Sequence, residues 1–256
     1  MNTSIHVSVG QVAASLALVA LAAAISFWRK TDLERDIAVA TVRSIVQLTA
    51  IGYAIKLIFE ADTLLLVVAL LSAMALFGAL TARSRAKKVP GAFWPLLIAL
   101  AVAGATTLGL VVALGIFEAT PRYLVPVGGM VIGNAMTASA VALNRLGDEV
   151  AASRSEIEAT LALGATARQA AAPFVRRALR SGTIALVDST KTTGLIFFPG
   201  TMVGMLLAGA EPTDAVRLQL ILLYALLGSV AIAALVATGL AYRNFFTQAQ
   251  QLRDLH

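Results

Sequence analysis

Thr63-Leu64-Leu65-Leu66-Val67-Val68-Ala69-Leu70-Leu71-Ser72-Ala73-Met74-Ala75-Leu76-Phe77-Gly78-Ala79-Leu80-Thr81 is an uninterrupted apolar run without a charged side chain. A helix that crosses a bilayer needs about 20 such residues, so this stretch reads as a membrane span. Further spans read the same way at 7–28, 37–59, 93–117, 123–146, 183–207 and 216–242, making seven. Composition agrees. Of 256 residues, 59% are hydrophobic and 13% charged, whereas a soluble domain has about 45–50% and about 25%. The expectation is an all-α, multi-pass integral membrane protein with one transmembrane domain over 1–256.

The cations orient it. The first span has no Lys or Arg before it and is followed by Arg29 and Lys30, which is the reverse of a signal peptide and puts the N-terminus outside. With seven spans the C-terminus is inside. On that topology 15 of the 20 cations fall on inner segments and two, Arg122 and Arg217, on outer ones. Cytoplasmic loops are the ones enriched in Lys and Arg, so the split supports N-out and C-in. The net charge of +6 is therefore a topology signal, and no nucleic-acid partner is expected. The chain has no cysteine, and its two histidines, His6 and His256, are terminal. Thiolate metal sites are excluded, and a membrane-embedded enzyme or signalling subunit has no plausible chemistry. Walker A, dinucleotide-binding and HExxH patterns are absent, so ATP hydrolysis would need another chain. No cofactor or resident metal is expected.

Three cations remain inside spans: Arg43, Lys56 and Lys191. Lys56 lies near the outer end and can snorkel. Arg43 lies roughly 9 Å from the inner end of its span, Asp188 roughly 8 Å, Lys191 roughly 12 Å and Gln47 roughly 15 Å. Intramembrane ionisable groups are costly and mark function by default. The common depth suggests one polar cluster of Arg43, Gln47, Asp188, Ser189, Lys191 and Thr192, which either lines a transport path or forms a static ion pair between spans. Pro199-Gly200 is expected to break the sixth span after a helix over 183–198, and a break at depth must face protein or a water-filled cavity. Gly129 and Gly133, and Gly200, Gly204 and Ala208, form small-residue rows. Met130, Met136, Met202 and Met205 are read as packing rather than metal ligands.

The long inner segment, about 147–181, contains Glu158-Ala159-Thr160-Leu161-Ala162-Leu163-Gly164-Ala165-Thr166-Ala167-Arg168-Gln169. Gly164 and Pro173 punctuate it. It resembles the coupling motif of ABC-transporter permeases, a helix–Gly–helix elbow, although the apolar-Leu-Pro ending is missing. A wider set of segments looks like the FetB family of ABC permeases. They are Arg43-Ser44-Ile45-Val46-Gln47-Leu48, Gly128-Gly129-Met130-Val131-Ile132-Gly133-Asn134-Ala135-Met136, Val187-Asp188-Ser189-Thr190-Lys191-Thr192-Thr193-Gly194-Leu195 and Pro199-Gly200-Thr201-Met202-Val203-Gly204. The resemblance spans about 33–246.

That resemblance implies a permease subunit that is not itself an enzyme, works with a separate ABC ATPase and pairs as a homodimer in the lipid of a bacterial cytoplasmic membrane. It implies export of iron or another metal species, with roles in metal-ion homeostasis and oxidative stress. Plant relatives point instead to a small metabolite such as a nucleotide sugar. Coupling would fall to Glu158, Ala159, Gly164, Ala165 and Arg168. The path or its gate would fall to Arg43, Gln47, Asn134, Asp188, Ser189, Lys191, Thr192, Pro199 and Gly200. The competing class is an ion-coupled secondary transporter with Asp188 as its ion site.

Overall fold

A computed structural model describes residues 8–253. Val7, where the first span is expected to start, and both histidines lie outside the described residues. The described chain is helical almost throughout: α1 (Val9–Arg29), α2 (Glu34–Ala61), α3 (Leu64–Arg85), α4 (Phe93–Ala113), α5 (Pro121–Ala152), α6 (Arg154–Ala162), α7 (Ala167–Thr192), α8 (Gly200–Leu207) and α9 (Pro212–Ala241), closed by a 3-10 turn at Tyr242–Phe245. Six helices, α1 to α5 and α9, are long and apolar enough to cross a membrane. The sixth expected span, 183–207, is instead divided between α7 and α8.

The body is a bundle of α3, α4, α5, α7 and α9. Its core is rich in alanine: Ala79, Ala82, Ala99, Ala135, Ala142, Ala178, Ala233 and Ala237 are buried, with Leu96, Leu100, Leu143 and Phe174. Small side chains let helix backbones approach closely, which is where packing energy comes from when lipid competes for apolar contact. Gly128 faces Leu71 of α3 and Leu108 of α4, with no room for a Cβ beside Leu71. The expected pairing of Gly129 with Gly133 is only half used, since Gly129 meets Met74 and Gly133 has nothing within 4 Å. Met130 and Met136 pack against core clusters, as read from the sequence.

The two ends of the bundle differ. At the inner end, Lys88 reaches Asp148 at 2.6 Å, and Asn244 donates to the Pro90 carbonyl at 2.8 Å. At the outer end, Ile58, Val67 and Val125 bury together and Phe117 stacks on Tyr123. These contacts put the start of α7 inside and the start of α9 outside, so α7 and α8 in series make the seventh crossing. The order is consistent with N-out and C-in.

Helices α1 and α2 form a hairpin locked by Ser26, whose hydroxyl donates to Glu34 Oε1 at 2.9 Å and accepts from the Leu33 N–H at 3.1 Å. The hairpin joins the body at its outer end through Ile58, while the inner half of α2 stands clear, exposed from Val42 to Ala50.

Candidate functional site

The inner elbow forms as its sequence suggests. Helix α6 ends at Ala162 with Leu163 as its C-cap, and Gly164 follows with φ +88. The Gly164 N–H donates to the Leu161 carbonyl at 2.9 Å, and the Ala165 N–H to the Thr160 carbonyl at 3.3 Å. This pair of bonds is a Schellman stop, and it needs a residue free to adopt a left-handed backbone, hence glycine. Thr166 then starts α7. Its hydroxyl accepts from the Gln169 N–H while Gln169 Oε1 accepts from the Thr166 N–H at 2.9 Å, a reciprocal capping box. Pro173, expected to interrupt the segment, sits inside α7. It forfeits one backbone bond, and the helix runs on past it, with Ala170, Ala171 and Phe174 buried around it.

Leu163 caps the turn with 90% of its surface exposed, and Ala159 is exposed beside it. Glu158 accepts from Arg154 at 2.8 Å on the same short helix and borders a groove that it shares with Leu161, Ala162, Ala165 and the C-terminal residues Ala249 to Leu252. Arg168 borders a second groove with Arg176, Tyr242 and Arg243. Two features escaped the sequence reading. Gln250 Oε1 accepts from the Ala167 N–H at 2.6 Å, so the C-terminal segment braces the start of α7. Glu149, buried near the inner end of α5, binds both Arg145 and Arg177, the latter at 2.8 Å. The Arg177 guanidinium also lies 4.8 Å from the Phe174 ring centroid. The Glu149–Arg145 spacing of four is visible in the sequence, but the partner on α7 is not.

The expected polar cluster comes together only in part. Asp188 and Lys191 meet at 2.8 Å on one face of α7, both more than half exposed. That face continues from Arg180 through Ile184, opposite the side on which Ala178 and Gly182 bury against α5. Ser189 lies on the inward side, and its backbone carbonyl accepts from the Thr192 and Thr193 hydroxyls at 3.0 and 2.8 Å. Asn134 donates to its own helix, at the Met130 carbonyl. Arg43 and Gln47 stand apart, exposed along the free inner half of α2 beside Val39, Val42 and Val46. Equal depth in the bilayer does not bring α2 to α7, because α2 docks only at its outer end.

The break in the sixth span lies earlier than Pro199. Helix α7 stops at Thr192, Gly194 takes φ +84, and its N–H closes a tight loop onto the Phe197 carbonyl at 2.9 Å. The hydroxyls of Thr192 and Thr193 bond back into the last turn, and glycine then supplies the turn that no β-branched residue could. Pro199 is the N-cap of α8, and Gly200 its first residue. Gly200 and Gly204 have nothing within 4 Å. Among the described residues, no group of three His, Cys, Asp or Glu side chains could hold a metal ion.

The family model for UPF0014, an uncharacterised protein family, matches residues 9–246. A rice membrane protein of that family, STAR2, is 37% identical over 94% of this chain and 85% of its own length. The YjkA membrane protein of Bacillus subtilis is 38% identical over 93% and 94%. An Escherichia coli protein named as a probable iron export permease, FetB, is 36% identical over 94% and 93%. No solved structure matches. On residues 9–246 and on these full-length likenesses, the chain belongs to the UPF0014 family of multi-span membrane proteins, and permeases are among its relatives.

Proposed function

We propose that this chain is the membrane subunit of an ABC-type exporter, driven by a separate ATPase that docks on the α6–α7 elbow of each of two permease copies. The observation that carries the reading is the elbow itself. A two-helix turn at the inner end presents an exposed leucine, and α7 continues from it without a break to Asp188 and Lys191. A push on the elbow would thereby be transmitted along one continuous helix to intramembrane charges. Two packed arrangements of α7 would expose them to alternate sides. Glu158, Ala159, Gly164, Ala165 and Arg168 serve coupling. Asp188, Ser189, Lys191 and Thr192 face or brace the path, with Asn134, Arg43 and Gln47 contributing from α5 and α2, and Pro199 and Gly200 setting the start of α8. The name of the Escherichia coli relative makes iron, or another metal species, the cargo to test first. The setting is the bacterial cytoplasmic membrane, with a contribution to metal homeostasis under oxidative stress.

The test is transport in inverted membrane vesicles that contain the chain and a co-expressed ATPase. Uptake of ferrous iron that needs ATP and stops without the ATPase supports the proposal. Uptake driven by an ion gradient with no ATPase present overturns it in favour of a secondary transporter. ATP-dependent uptake of a nucleotide sugar but not of iron would keep the exporter and replace its cargo.

A further inference from the structure

We propose that two copies of this chain meet at the α7–α8 break, where Leu195, Ile196 and Phe198 of each copy form an apolar seal on the outer side of Asp188 and Lys191. The inference rests on the two-copy part of the proposed function and adds the surface at which the copies touch.

Depth is the first argument. A Cβ on Gly182 would lie against the Ala138 carbonyl, so these two residues are level. Ala138 is roughly 25 Å along α5 from its outer end, at 1.5 Å per residue. Thr193 is roughly 16 Å beyond Gly182 along α7, which leaves the break roughly 9 Å short of the outer surface, within the hydrocarbon layer. Helix α8, of eight residues, is roughly 12 Å long, enough to span the roughly 9 Å that remain.

Backbone satisfaction is the second. Among the described residues, the carbonyls of Gly194, Leu195 and Ile196 accept no hydrogen bond. Non-helical backbone at this depth is not left against lipid; it is covered by protein or lines a cavity. Among the described residues nothing covers it, since Leu195 is 88% and Ile196 79% exposed, and Phe198 is exposed too.

Charge is the third, and it selects the occupant. Asp188 and Lys191 lie on the exposed face of α7, one helical turn apart and opposite in sign. A two-fold axis along the membrane normal sets equal levels of two such faces opposite each other. The pair is then self-complementary, because Lys191 of each copy can reach Asp188 of the other, as an isologous contact requires. A lipid chain offers these groups nothing. A second copy covers the loop with the same apolar residues and leaves the charges between the two chains, where a path would run.

The chain has no cysteine, so single-cysteine variants are free of background. Membranes carrying full-length L195C, F198C or, as a control at an exposed position of α3, L65C are oxidised with copper–phenanthroline. The expected result is a reducible two-chain band for L195C and F198C and none for L65C. Inserted protein that stays single at both 195 and 198, or a control that cross-links as strongly, overturns the contact. The seal has its own readout. In I184C, on the same exposed face of α7 and inward of both charges, labelling by an impermeant maleimide from outside should rise when Leu195→Ala and Phe198→Ala are added, and unchanged labelling overturns it. Cross-linking needs neither cargo nor ATP. Copies that cross-link but do not transport therefore count against the exporter alone, and transport without cross-linking counts against this contact alone.

Discussion

Gly182 lies so close to the backbone of Ala138 that a Cβ added to it would be 2.6 Å from the Ala138 carbonyl oxygen and 2.7 Å from the Ala142 Cβ. Here α7 touches α5, and the obstacle is backbone, which cannot swing aside. Gly182→Ala should therefore destabilise the detergent-solubilised protein by about 1–3 kcal/mol, the usual range for overpacking. Gly239→Ala, at a helical position with nothing within 4 Å, should stabilise it by about 0.5–1 kcal/mol by removing backbone freedom from the unfolded chain. Thermal unfolding of the two variants checks the pair; equal shifts would mean that α7 does not pack on α5 at this point.

Glu149 and Asp148 are neighbours with opposite burial. Glu149 is buried between Arg145 and Arg177, whereas Asp148 meets Lys88 in the open. Glu149→Gln should cost about 1.5–3 kcal/mol, the scale for hydrogen bonds between charged groups, because it leaves two guanidinium groups sharing a neutral partner. Asp148→Asn should cost less than about 1 kcal/mol. Denaturation midpoints, with a salt series that moves only Asp148→Asn, test the contrast.

Gly164 separates backbone strain from crowding, because its φ is +88 while nothing lies within 4 Å. Gly164→Ala should cost about 1–2 kcal/mol from the left-handed conformation alone, and Gly164→Asn less. A Cβ at 164 meets nothing within 4 Å, so Gly164→Trp should cost about as much stability as Gly164→Ala. Loss of ATPase co-purification in Gly164→Trp, with binding kept in Gly164→Asn, is expected if the elbow is the docking point. Removing the exposed anchor with Leu163→Asp should have the same effect.

In the water-filled path proposed above, Asp188→Asn should leave stability within about 1 kcal/mol, since its partner Lys191 is on the same helix and both are exposed on the single chain. Transport should fall at least about tenfold, equivalent to about 1.4 kcal/mol. Arg43→Gln should likewise spare stability, as α2 is free along that stretch, while lowering transport. Normal transport rates in both variants would remove the intramembrane charges from the path.

The elbow was legible because its determinants are local. A glycine stop, a Thr–Gln capping box and a run of alanines act within a few residues of one another, so their order along the chain already specifies the turn. The polar cluster was legible only where it too is local, at the spacing of Asp188 and Lys191. Its other half depended on which helix stands next to which. Arg43 shares their depth, but α2 is held at its far end by Ile58. The sequence signals a broken helix but points to Pro199, because proline is the stronger breaker in general. Gly194, backed by two threonine hydroxyls that turn inward on the last turn, acts earlier.

By itself the sequence determined the solvent and the topology. Apolar runs long enough to cross a bilayer, and cations gathered on alternate loops, follow from transfer free energies that each segment carries alone. Only the tertiary structure decided which glycines are contact points, which carboxylate is buried and which face of α7 stays open. Those depend on backbones far apart in the chain arriving within ångströms of each other, as Gly182 does at Ala138 and Gln250 does at Ala167. No local pattern encodes such an approach, because its free energy belongs to the pair and not to either segment.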